Sequence, residues 1–99
     1  MKTRFPKTDA NQSLLVAGLR ACGYTVAITA AVGNGFPDLV VGQHGKNYLL
    51  EVKPAGPAWA QKLNKRETEW HALWRGQVAI VSTVDEALAA CGGIANEQE

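Results

Sequence analysis

The stretch FPDLVVGQHGKNYLLEVK, residues 36–53, decides the fold. It holds two runs rich in Val, Leu and Tyr, residues 36–42 and 47–53, with turn chemistry at residues 42–45 between them. A link this short leaves no room for a crossover helix, so the runs are expected to pair as an antiparallel hairpin. Side chains alternate along a strand, so Glu51 and Lys53 share one face, roughly 6–7 Å apart along the chain, and Val52 faces the other way.

Three ionisable groups, Asp38, Glu51 and Lys53, interrupt these apolar strands. An unpaired charge beside a sheet core costs several kcal/mol, so each needs a partner. Two carboxylates that converge without a cation repel, and the pKa of one rises. A hard divalent ion resolves the conflict, and Mg²⁺ characteristically takes one or two carboxylates together with water and substrate phosphate. That is the chemistry of phosphodiester hydrolysis. A lone Glu-x-Lys is ordinarily an exposed ion pair on a half-solvated strand, and an Asp after Pro ordinarily ends a strand. The full constellation favours a site: Pro-Asp opens one strand, Glu-x-Lys closes the next, and a compact turn makes them neighbours.

Pro37-Asp38 followed by Glu51-Val52-Lys53 resembles the PD-(D/E)XK signature of the restriction-endonuclease-like superfamily. Gly35-Phe36-Pro37-Asp38-Leu39, then YLLEVKP, a Trp-containing helix and the strand GQVAIV are similar to the small stand-alone VRR-NUC nucleases of phages and bacteria. The resemblance implies a Mg²⁺- or Mn²⁺-dependent endodeoxyribonuclease with Asp38, Glu51 and Lys53 as its catalytic residues. Asp38, Glu51 and the Val52 carbonyl would hold the metal. Lys53 would orient or help deprotonate the attacking water and stabilise transition-state charge. Homodimers acting on branched DNA such as four-way (Holliday) junctions are also implied, as a resolvase would. The chain departs from the family pattern twice. An acidic residue of the first helix would fall near Leu14, where Asp9 or Gln12 could contribute instead, and a Gln after the Glu-x-Lys strand would fall near Glu67. Asn64 to Glu67 equally reads as a capping box, Asn64 capping and Glu67 reaching back. These departures keep open a catalytically inactive DNA-binding module on the same fold.

Ninety-nine residues, 46% apolar and 19% charged, suit one globular domain with a core that needs no disulfides. The expected organisation is a mobile basic arm at 1–8, a nuclease-like domain at 9–93 and a frayed acidic tail at 94–99. No stretch has the roughly 18 apolar residues of a membrane span and no apolar signal core is seen, so a cytoplasmic protein of a bacterial or phage-infected cell is expected. Cys22 and Cys91 lack metal or redox spacing and are expected as buried free thiols. Net charge is +1, but all ten Lys and Arg lie in residues 1–75 against five acids, while the last 24 residues hold four acids and no base. A basic face for phosphates follows, to which Lys2, Arg4 and Lys7 of the arm and Trp59, Lys62, Lys65 and Arg66 would add DNA contacts. Packing of Trp59 onto the body is the plainer alternative.

The expected order is α-β-β-β-α-β-α, an α/β fold with a mixed central sheet of about four strands flanked by helices. Asp9 would cap a first helix reaching about Cys22 with Leu14, Leu15, Ala17 to Leu19 and Ala21 inward and Gly23 as its stop. A strand at 24–30 follows. PAGPAWAQKLNK reads as a loop near the site. A helix at 65–75 would bury Trp70 and Trp74 against the sheet. His71 and His44 read as surface residues. A buried strand at 77–82 then leads to a last helix with Thr83 and Glu86 as its capping box.

Overall fold

A computed structural model describes the backbone of residues 7–92 and the side chains of residues 10–92. Lys2, Arg4 and the acidic tail lie outside the described residues, as do the side chains of Lys7 and Asp9. The elements run α1 (Lys7–Ala21), β1 (Thr25–Ile28), a 3-10 turn (Ala30–Val32), β2 (Leu39–Gln43), β3 (Lys46–Val52), a second 3-10 turn (Ala58–Gln61), α2 (Lys65–Leu73), β4 (Ala79–Val81) and α3 (Val84–Ala90). The second 3-10 turn falls inside the segment expected as plain loop.

The hairpin forms because His44 and Gly45 both adopt positive φ, 52° and 77°, the pair of values that a two-residue turn needs to match strand twist. β2 and β3 pair antiparallel with Leu39 opposite Leu50 and Gln43 opposite Lys46. β1 adds antiparallel to β2, and β4 adds parallel to β3, giving one mixed sheet in the order β1-β2-β3-β4. Alternation then sorts the side chains. Leu39, Val41, Leu50 and Val52 are fully buried on one face, where Leu15, Val16 and Leu19 of α1 and Ala87 of α3 complete the core. Gly18 lets the two helices approach, since a Cβ there would meet the Val84 side chain. Glu51 and Lys53 point to the opposite face, which α2 reaches.

Several expectations are corrected. α1 already includes Lys7, so Asp9 lies within the helix and not at the position before it. Leu14 is 66% exposed, and Ala17 and Ala21 also face outward, because only the stripe through Leu15 and Leu19 meets the sheet. β4 is an edge strand, which leaves Ile80 exposed. Ahead of the start of β4 the Gln77 side chain continues the ladder, accepting from Leu49 N at 2.6 Å and donating to Leu49 O at 3.1 Å. α2 has no fully buried residue: Trp70 stacks on Trp74 at 4.6 Å and meets Phe36 edge-on at 5.4 Å, and this aromatic cluster lies outside the main core. Thr83 caps α3 by accepting from Glu86 N, but Glu86 reaches Ser82 N instead of closing the box. Cys91 is buried, which pushes its thiol up to about 11, whereas Cys22 is exposed, and both are free. Among the described residues no helix is long and apolar enough to cross a membrane.

Candidate functional site

Asp38 precedes β2 by one residue. Its backbone is fixed from β1's end, where Thr29 N donates to the Asp38 carbonyl at 2.7 Å and Thr29 Oγ1 donates to the Pro37 carbonyl at 2.8 Å. The Leu39–Leu50 register brings Asp38 level with Glu51, and Asp38 Oδ2 accepts from Val52 N at 2.8 Å. A carboxylate thus stands where a strand carbonyl would continue the ladder, which fixes its orientation.

Lys53 leaves β3 clamped on both sides of its backbone. Its N–H donates to the Val81 carbonyl at 3.0 Å, and its carbonyl accepts from Asn11 Nδ2 at 2.8 Å. Asn11 also donates to the Ser82 carbonyl at 3.0 Å, tying α1 to the exits of both parallel strands. Sequence reasoning overlooked Asn11. The available signal was its place four residues before Leu15 and eight before Leu19, a polar residue on a buried stripe that must find partners. Gln12 is half-buried beside it.

The Lys53 ammonium donates to Glu67 Oε1 at 2.7 Å and lies 4.0 Å from Glu51 Oε2. Glu67 Oε1 also accepts from Asn64 N at 2.9 Å, while Glu67 N donates to Asn64 Oδ1 at 2.8 Å. Capping and site contact, posed by the sequence as alternatives, therefore coexist in one carboxylate. Burial works to raise Glu67's pKa, but the bonds from Lys53 and Asn64, the neighbouring Glu51 carboxyl and the charge of Lys53 outweigh it and hold the group below its ordinary value.

Glu51 is the least ordinary residue of the site. It is 1% exposed, and its Oε1 has no hydrogen-bond partner. Burial, followed by the nearby carboxyls of Asp38 and then Glu67, pushes its pKa up to about 9. His71, expected at the surface, lies on α2 with its side chain 14% exposed and its Nε2 unpartnered 3.9 Å from Glu51 Oε1. Burial lowers its pKa against the pull of Glu67, leaving the imidazole neutral at pH 7.

Fully ionised, Asp38, Glu51, Glu67 and Lys53 carry two excess negative charges, the complement of one divalent cation. An orphaned buried oxygen on Glu51 beside a second, oriented carboxylate fits such an ion. Among the described residues no three or more His, Cys, Asp or Glu side chains are grouped so as to hold a metal ion by themselves. Mg²⁺ does not need one, because it keeps several waters and binds through one or two carboxylates. Val52 lends its N–H to Asp38, and its side chain is buried in the core.

Around the site lie the residues expected to meet phosphate. Lys62, Lys65 and Arg66 are exposed, and Arg66 is steadied by a 2.8 Å bond to Asn34 Oδ1. A groove of about 500 Å³ runs between Asn34, Arg66 and Trp70. Trp59 is 77% exposed, so it does not pack the loop onto the body. No family model matches this chain, and neither a curated protein nor a solved structure does.

Proposed function

We propose that this chain is a Mg²⁺- or Mn²⁺-dependent endonuclease of the restriction-endonuclease-like, VRR-NUC type, hydrolysing DNA phosphodiesters in the cytoplasm of a bacterial or phage-infected cell. The observation that carries this reading is Glu51: a carboxyl with an unpartnered oxygen, whose pKa burial, and after it the charges of Asp38 and Glu67, push up to about 9. A structural ion pair would satisfy that oxygen. A site that holds a cation leaves it free.

Asp38, Glu51 and the Val52 carbonyl would hold the ion, which supplies Lewis acidity to the scissile phosphate. Lys53 Nζ, held by Glu67, would orient the attacking water and offer positive charge to the non-bridging phosphate oxygens. Glu67 would keep the ammonium aimed, and the capping box would keep Glu67 in place. Lys62, Lys65, Arg66 and exposed Trp59 form a flank suited to backbone contact and base stacking on a branched or single-stranded segment. Residues 9–93 would form the nuclease domain, with arm and tail on either side.

Asp38→Ala or Lys53→Ala is expected to abolish cleavage of four-way, flap, duplex and single-stranded DNA in Mg²⁺ or Mn²⁺, with circular dichroism unchanged. Wild-type rates from Asp38→Ala would sink the reading. A homodimer is part of the proposal, since symmetric cutting of a junction needs two sites. Light scattering at micromolar concentration should give twice the 10.6 kDa chain mass, and activity from a pure monomer would count against it.

The 2.7 Å bond that engages Lys53 with Glu67, and solvent-facing Leu14 where the family has an acid, favour a second reading: a module that binds DNA without turnover. Tight binding of branched DNA with no cleavage in either metal would select it.

A further inference from the structure

His71 follows Glu67 by four residues, so both side chains leave the same face of α2 toward β3. Glu67 meets Lys53, and His71 meets Glu51. The second meeting is incomplete. Glu51 Oε1 and His71 Nε2 are both buried and unpartnered, and they stand 3.9 Å apart, beyond hydrogen-bond reach. Native structures rarely leave two buried polar atoms facing each other without partners, which marks the pair as a place for a shared ligand.

The separation lies just under twice the roughly 2.0–2.2 Å at which carboxylate oxygen and imidazole nitrogen bind a small divalent cation. A bridging water would also span it, but only with Glu51 protonated and one negative charge of the cluster left uncancelled. A dication satisfies both atoms and the charge together. Resting on the reading of Asp38 and Glu51 as cation ligands, we propose that His71 Nε2 is a nitrogen ligand of the same ion and that it shifts selection from Mg²⁺ toward Mn²⁺. Mn²⁺ shares the taste of Mg²⁺ for oxygen ligands and stands lowest in the first-row order of affinity for nitrogen, but as a transition metal it gains from one imidazole, whereas Mg²⁺ keeps an all-oxygen shell. Glu51 and His71 form an open bite, and Asp38, water and substrate phosphate complete the shell. The Asn64 cap and the contact of Trp70 with His71 at 5.7 Å fix the register that aims the ring.

The test is cation binding by the intact protein, without DNA. Calorimetry should give tighter binding of Mn²⁺ than of Mg²⁺, and pulsed electron paramagnetic resonance of the Mn²⁺ complex should show nuclear modulation from a directly bound nitrogen. His44 is the other histidine of the chain, so His44→Asn should keep that modulation. His71→Ala and His71→Gln should lose it and weaken Mn²⁺ binding at least about tenfold, with Mg²⁺ binding changed far less. Binding of both cations with no nitrogen modulation in the wild type would overturn the role of His71 and leave the nuclease reading standing. This spectroscopic result does not depend on how well the variants fold. Failure to bind either cation, with or without DNA, would overturn both.

Discussion

At the scale of the residue, Glu51 concentrates the conflict between folding and function. Its neighbours Leu50 and Val52 are buried in the core, and alternation sends Glu51 to the other face, where α2 and Asp38 close over it. Apolar burial of β3 thus carries along a carboxyl that resists ionisation until about pH 9. Without a cation, keeping that carboxyl protonated at neutral pH costs stability, because the unfolded chain releases the proton freely. Glu51→Gln keeps the shape and removes the conflict. It should raise metal-free stability at pH 7 by on the order of 1–3 kcal/mol in urea denaturation, while eliminating cation binding. A variant no more stable than wild type in the presence of chelator would show that Glu51 is at ease in its pocket.

At the scale of the element, the decisive join is between the loop entering β2 and the helix α2. Gly35 has φ of 83°, and a Cβ there would run into the Arg66 carbonyl and crowd Trp70. Gly33 has φ of 77° with open space around it. Gly33→Ala should therefore cost about 1 kcal/mol, the backbone penalty alone, while Gly35→Ala should cost about 2–4 kcal/mol and push α2 away from Lys53. Equal losses of thermal stability in the two variants would show that the contact is dispensable. The hairpin was legible in the sequence because length-limited linkage and alternation leave one arrangement, and with it came the neighbourhood of Asp38, Glu51 and Lys53. The apolar spacing of Trp70 and Trp74 was legible too. Which surface would cover them was not, since periodicity names a face without naming what lies opposite. His71 escaped for the same reason: it is twenty positions from Glu51 along the chain, and only the angle of α2 over the sheet brings them together. Ile80 looked buried because an apolar run does not reveal that its strand is an edge.

At the scale of the whole molecule, the acid cluster should make stability depend on pH in two opposing ways. Glu67 is held below its ordinary value of 4.5, so its contribution is present above that pH and is lost as the pH falls. Glu51 is raised to about 9, so its favourable state is complete below 4.5 and is lost steadily as the pH climbs toward 9. With chelator present, urea midpoints should therefore peak in the mildly acidic range and decline through neutrality into alkali. Added Mn²⁺ should move the peak upward, because the ion binds ionised Glu51. Identical profiles with and without cation would disprove the coupling. The sheet's rim has a consequence of its own. β4 pairs with only Leu50, Glu51 and Val52, and at Leu49 the Gln77 amide offers the same donor and acceptor as a peptide group. This occupied seam covers the stretch of β3 that β4 leaves unpaired, and so denies a neighbouring chain the template for strand addition at that place.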